Sequence, residues 1–180
     1  FMYIGNLEAY QGIDLFIDGY VVFKKAGGRG VVIIIGGSDN DINAYQKKIK
    51  DLSLSDHIHL AGRRPVASIS GYMKQADVLV SPRIVGENTP MKIYSYLDSG
   101  VPVLATDIPT HTQVLNKEIS VLAEPNPEAL ADAMMMIISD PEKRKQLAGR
   151  AADFIAKEHS LKAFKSSLKS IYEAVEQYHA

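Results

Sequence analysis

The sequence contains no cysteine. That excludes disulfides, zinc ribbons, iron–sulfur clusters and thiol nucleophiles, and leaves the redox compartment unmarked. An excess of one charge is missing too. Twenty Lys+Arg against 21 Asp+Glu leave a net charge of −1, so no strong attraction to nucleic acid or an anionic membrane is expected. No apolar run approaches the roughly 18 residues of a membrane span; the longest, Val31–Ile35, is strand-sized. Neither a Gly-x-Gly-x-x-Gly after the first strand nor a P-loop is present, which argues against a dinucleotide dehydrogenase and a P-loop NTPase. A basic and apolar leader is also missing. The chain opens on Phe1-Met2-Tyr3-Ile4-Gly5, a strand with its turn glycine, as expected of a piece cut from a longer polypeptide.

What is present is 180 residues, 46% hydrophobic and 23% charged, enough to bury a core as one domain spanning 1–180. Short apolar runs predict strands at Phe1–Ile4, Val31–Ile35, His57–Leu60, Val78–Val80, Val101–Leu104 and Ser120–Leu122. The central ones are continuously apolar, as strands covered on both faces must be. Helical periods alternate with them. Ile13, Phe16, Ile17, Tyr20 and Val21 form one stripe, and Leu130, Ala133, Met134, Ile137 and Ile138 another. Ile42, Tyr45, Ile49 and Leu52 make a narrower one on a helix that Ser38 or Asp39 caps. Two helices, about Pro141–Lys157 and Ser160–Tyr178, follow one another without a strand between them. The last carries a long stripe from Leu161 to Tyr178, expected to pack toward another part of the longer protein. Strand–helix alternation with short connections predicts an α/β, Rossmann-like, doubly wound parallel sheet with helices on both faces.

In such sheets ligands bind where strand ends run into helix starts. Ser81–Lys92 is the richest of these loops. Thr89 reads as a helix N-cap and Pro90 as the first helical residue, which leaves amides and Lys92 facing an anion such as a diphosphate, with Glu87 free to accept from hydroxyls. A plain helix cap with a solvated Glu and Lys fits the same residues. Gly62-Arg63-Arg64-Pro65 offers two guanidinium groups to phosphate or a base, or forms a solvated turn. His57 and His59 share one face of a strand without a third metal ligand and read as edge-strand histidines. His111 has no visible acid–base partner and reads as a surface or cap histidine. Met134-Met135-Met136 is core filling, and Gly100 ends the helix that Thr89 opens.

Glu87-Asn88-Thr89-Pro90-Met91-Lys92-Ile93-Tyr94-Ser95-Tyr96-Leu97-Asp98-Ser99-Gly100-Val101-Pro102-Val103-Leu104-Ala105-Thr106-Asp107 resembles the signature of group 1 (family 4) retaining glycosyltransferases. Phe1–Leu7 with Gln11–Asp14, His59–Arg63 and Tyr72–Pro82 are similar to the family's opening and central portions. The resemblance implies the C-terminal, nucleotide-sugar-binding half of a GT-B fold, with the N-terminal acceptor domain lying outside this chain. It implies a hexosyltransferase-type reaction that is retaining and metal-independent, with a nucleoside-diphosphate sugar as donor and no cofactor. Glu87 falls on the glutamate that meets the donor sugar, the catalytic position. Gly5, Asn6, Gln11, Arg63, Arg64, Asn88, Thr89, Pro90, Met91 and Lys92 fall around sugar and diphosphate, and Ser95 at the ribose.

Three departures stand out. Ser95 replaces the family's second glutamate, while Asn6 and Gln11 replace an Arg and a Lys that neutralise the leaving diphosphate. Arg63, Arg64, Lys92 and the helix start are the available compensation. The resemblance further implies a saccharide or lipid-linked acceptor held by the other half, and no nucleic-acid partner. The expected location is cytoplasmic, peripheral to the inner membrane face through that half. The three neutral replacements leave open a degenerate nucleotide-binding or interaction module that keeps the fold without transfer.

Overall fold

A computed structural model describes residues 1–179. Six strands, β1 (Met2–Ile4), β2 (Val32–Ile35), β3 (Ile58–Gly62), β4 (Leu79–Ser81), β5 (Val103–Thr106) and β6 (Val121–Ala123), form one sheet in the order β3-β2-β1-β4-β5-β6. Every pairing is parallel. The order reverses between β1 and β4, which makes the carboxyl ends of those two strands the natural place for a ligand. All six predicted strands are found, with boundaries moved by one or two residues.

Side-chain alternation explains why these strands are apolar without a break. On one face Tyr3, Val32, Ile34, Val80 and Leu104 pack with Phe16, Ile17, Tyr20 and Phe23 of α1 (Ile13–Lys25) and Leu130, Met134 and Ile137 of α6 (Pro127–Ser139). On the other, Met2, Leu79, Val103 and Ala105 meet Ile93, Tyr96 and Leu97 of α4 (Lys92–Asp98) and Ala151 and Ile155 of α7 (Pro141–Glu158). Successive residues of one strand thus serve different cores, and burying each large side chain contributes about 1.5–3 kcal/mol. α2 (Asp39–Asp51) starts where Ser38 and Asp41 exchange hydrogen bonds as a capping box, and Asn126 caps the Pro127 start of α6. Two short helices, α3 (Val66–Met73) and α5 (Pro109–Thr112), have too little apolar periodicity to be read from sequence.

One expectation changes. The helix expected from Thr89 begins at Lys92 and is only seven residues long, and Met91 precedes it without a side-chain cap bond. Thr89 donates its hydroxyl to Gln113 Oε1 instead, and the Pro90 carbonyl takes the Ile93 N–H at 3.0 Å. A two-turn helix has a small dipole, so its start supplies less to an anion than the sequence reading assigned. α8 (Leu161–His179) carries the stripe expected to pack toward another part of the longer protein. Leu161, Phe164, Ile171 and Tyr172 of its stripe are each more than 60% exposed, so much of this face is open to solvent.

Candidate functional site

The site starts at the carboxyl end of β1. Tyr3 is fully buried, and its hydroxyl reaches the loop above, donating to the Asn6 carbonyl and lying 3.2 Å from Gln11 Oε1. Across the switch point Tyr96 pins α4 to the same strand. Its hydroxyl accepts from the Ile4 N–H at 2.8 Å and donates to the Ile4 carbonyl at 3.2 Å. Lys92 stands four residues before Tyr96 and therefore shares its face of the helix. The ammonium consequently arrives over β1, 2.9 Å from both the Tyr3 hydroxyl and Gln11 Oε1, and 4.2 Å from the centre of the Tyr3 ring. A Cβ on Gly5 would lie 2.6 Å from Lys92 Nζ, so glycine leaves the space this cation occupies.

Its partners are all neutral. Burial is the main reason that Lys92 is pulled from the ordinary 10.5 down to about 7; the Arg83 charge adds to it and Glu8 opposes it. Burial also raises Tyr3 above its usual range, so its hydroxyl remains a neutral partner. The replacement of a loop lysine by Gln11 therefore does not leave the place without a cation. Lys92 brings one from α4 to within a hydrogen bond of Gln11.

The loop after β4 holds Glu87. Arg83, 8% exposed, donates from Nε to the Val85 carbonyl at 2.8 Å and from Nη1 to the Asn88 carbonyl at 3.1 Å, and lies 5.2 Å from the centre of the Tyr10 ring. Glu87 and Asn88 project from this loop and are exposed; Thr89 is half-buried, Pro90 buried and Met91 exposed. Arg83 has no ion-pair partner among the described residues. Sequence reasoning missed it, although an arginine directly behind a buried strand and three residues before Gly86 was the available signal.

His111 corrects an expectation. It is wholly buried rather than at the surface. Nδ1 donates to the Thr106 carbonyl at 2.9 Å, leaving Nε2 to accept from Ser81 Oγ at 3.0 Å. Burial pushes it down to about 4, helped by the Arg83 and Lys92 charges, so it is a neutral bracket joining β4, β5 and α5.

The other expected site residues lie further out. Arg63 is exposed, its Nε on the Gly37 carbonyl at 3.0 Å, and Arg64 is exposed with Nη1 on the Arg63 carbonyl at 3.1 Å. Ser95 is exposed and opens onto a groove of about 640 Å³ with Met91, Tyr94, Asp98 and His159. The Asn6 side chain is exposed, while Gln11 is buried beneath the loop. The structure thus gathers Gly5, Gln11 and Lys92 with Tyr3, draws the loop that carries Glu87 and Asn88 around Arg83, and ties Arg63 and Arg64 to carbonyls outside the Lys92 cluster. His57 and His59 lie at the edge strand, and among the described residues no three His, Asp or Glu side chains converge on a possible metal position.

A doubly wound sheet with partly desolvated cations at its switch point defines a Rossmann-like domain suited to an anionic nucleotide. Residues 1–154 match the family model of glycosyl transferases group 1, and the chain belongs to that family. It is 24% identical over 177 residues to the alpha-D-kanosaminyltransferase of Streptomyces kanamyceticus, covering 97% of this chain and 45% of that protein. It is also 24% identical over 170 residues to the phosphatidyl-myo-inositol mannosyltransferase of Mycobacterium leprae, covering 93% and 44%. The chain thus spans less than half the length of these relatives. Among solved structures, Anabaena HepE in complex with UDP superposes with a TM-score of 0.84 at 17% identity, covering 96% of this chain and 48% of that one. The C-terminal domain of a group 1 family glycosyl transferase from Francisella tularensis gives 0.77 at 21% identity, covering 89% and 86%. These likenesses show the fold, which is that of a GT-B half. No described helix is long and apolar enough to cross a membrane.

Proposed function

We propose that this chain is the donor-binding half of a retaining, metal-independent glycosyltransferase. It holds a nucleoside-diphosphate sugar while a saccharide or lipid-linked acceptor sits on an N-terminal half. The observation that carries the reading is Lys92. A lysine enclosed by neutral partners at the switch point, and disfavoured there by burial, is an anion receptor whose free energy falls when a diphosphate arrives. Negative charge grows on that diphosphate as the sugar departs through an oxocarbenium-like state, and a cation already in place stabilises it without reorganisation.

In this reading Glu87 accepts from the donor sugar's hydroxyls, the Asn88–Met91 loop borders the sugar and phosphates, and Ser95 gives the ribose a single hydrogen bond where a carboxylate would accept two. The named relatives support a nucleotide sugar as donor: HepE was solved with UDP, and a Mycobacterium tuberculosis relative is a GDP-mannose-dependent mannosyltransferase. The place of action is cytoplasmic, peripheral to the inner membrane face through the other half.

Titration of the chain with UDP, UDP-glucose, GDP and GDP-mannose tests the reading. Glu87→Ala is expected to weaken the nucleotide sugar about tenfold, the scale of one hydrogen bond to a charged group, and to leave the bare nucleoside diphosphate nearly unchanged. Equal losses for both contradict the role. Asn6, Gln11 and Ser95 are what favour a non-catalytic module of the same fold. That module is established instead if nucleotide binds but a chain joined to its N-terminal half releases no nucleoside diphosphate from any of these donors.

A further inference from the structure

The structure assigns Arg83 the part of a positioning residue that sets the place of Glu87; the inference rests on the donor-sugar reading above. The two carbonyls that take the guanidinium, Val85 and Asn88, flank Gly86-Glu87 on either side, so the segment carrying the carboxylate closes in a ring around one side chain. The ring is anchored below. Thr106 donates its hydroxyl to the Arg83 carbonyl, and the Thr106 carbonyl is in turn held by His111. It is anchored beside by the Ile84 N–H on the Tyr10 carbonyl at 3.0 Å and the Tyr10 ring against the guanidinium. Beyond it the loop is tied to Gln113 through Thr89.

A guanidinium this buried and facing carbonyls rather than a carboxylate loses hydration without gaining an ion pair. The interaction it makes in exchange is the shape of the loop. Gly86 belongs to the same device. A Cβ there would lie 2.0 Å from Arg83 Nη2 and 2.4 Å from Cζ, so only glycine lets the guanidinium enter the ring. Lysine cannot substitute, because a single ammonium does not bridge two carbonyls in a fixed fork. Arg83 therefore acts through the loop backbone, whereas Lys92 meets the phosphates.

The test separates geometry from charge. The 180-residue chain is titrated with UDP, UDP-glucose, GDP and GDP-mannose as wild type, E87A, R83K, G86A and R83K/E87A, with a melting curve for each. R83K keeps the cation and G86A keeps the arginine, yet each dissolves the ring. Both are expected to raise the ratio of the nucleotide-sugar Kd to the nucleoside-diphosphate Kd about tenfold, as E87A does, with less than about threefold change in the bare nucleotide. R83K/E87A is expected to match E87A alone, because residues acting through one contact do not add.

The inference is overturned if E87A shifts the ratio while R83K and G86A do not, if both variants weaken the two ligand types equally, or if their effects add to that of E87A. Partial unfolding lowers binding of both ligands together and so falls under the second outcome. Failure of the reading beneath it looks different: either no nucleotide binds the wild type, or E87A itself leaves the ratio unchanged, and the inference falls with it.

Discussion

Lys92, at the start of α4, and Arg83, in the loop after β4, lie at the switch point between β1 and β4, whereas Arg63 and Arg64 stand in solvent beyond the edge strand β3. All four are cations on the ligand side of one sheet, and the fold gives them unequal worth. The inner pair lacks carboxylate partners among the described residues and is held by neutral oxygens; the two charges also disfavour each other. Burying each raises the free energy of the empty protein; at Lys92 an arriving anion lowers it, while the Arg83 guanidinium is turned to the carbonyls of the Glu87 loop. The outer pair is hydrated, screened, and satisfied through backbone carbonyls, so an anion gains little from it that water does not already provide. Charge count does not locate such a site. Desolvation without a counter-ion does.

Removing the inner lysine is the strongest way to break this contrast. Lys92→Ala is expected to weaken UDP and UDP-glucose, or GDP and GDP-mannose, together by about 40-fold, the midpoint of a hydrogen bond to a charged group. Calorimetric titration measures it. A loss confined to the sugar nucleotide, or one smaller than that of Arg63→Ala, reverses the assignment of the pairs.

Proton linkage gives the next largest effect. Lys92 titrates near 7 in the empty protein, and a bound diphosphate favours its ammonium form. Nucleotide affinity therefore falls as pH rises past 7, by roughly fivefold between pH 7 and 8, above the terminal phosphate's own ionisation near 6. Binding takes up a proton there, visible as a dependence of the calorimetric heat on buffer. Stability moves the other way. From about 7 to 10.5 the unfolded chain carries a proton on this lysine that the folded chain lacks, so stability rises with pH across that window. Lys92→Met is expected to flatten both profiles, and a binding profile unchanged by it removes Lys92 from the phosphates.

The same contrast explains which features could be read in advance. Strands announce themselves because both faces of a central parallel strand are apolar, and all six were legible down to a residue or two. Helix stripes were legible as stripes. What covers them was not: α6 buries Leu130, Met134 and Ile137, while α8, with an equally regular stripe, leaves Phe164, Ile171 and Tyr172 exposed. Periodicity reports one helix, whereas burial depends on its neighbours. Thr89-Pro90 looked like a helix start because the local preference is real, but the Thr89 hydroxyl found Gln113, and the chain turns helical two residues later. His111 looked solitary because its partners, Ser81 and Thr106, end two different strands. Arg83 had the same difficulty, since its significance lies in what the fold places around it. Glu87 and Lys92 were legible in the loop after the fourth strand and again in the longer pattern, whereas the meeting of Lys92 with Gln11 is a property of α4 lying over β1.

Arg63 and Arg64 supply the smallest expected effects and the finest test of the contrast. Arg63→Ala is expected to weaken nucleotide binding about threefold and Arg64→Ala by less than twofold, within the 0–1 kcal/mol usual for exposed charges. The difference between them follows from the tether. Arg63 Nε already sits on the Gly37 carbonyl beyond β2, one strand nearer the switch point, whereas Arg64 reaches only back to its neighbour's carbonyl. Salt separates the two pairs further. Raising ionic strength from 0.05 to 0.5 M is expected to erase the Arg63 contribution, while most of the Lys92 contribution survives because its surroundings exclude the screening ions. An Arg63→Ala loss as large as that of Lys92→Ala, and equally resistant to salt, would mean that Arg63 leaves Gly37 and becomes buried against the ligand. The outer loop would then close over the nucleotide, and the two pairs would become one site.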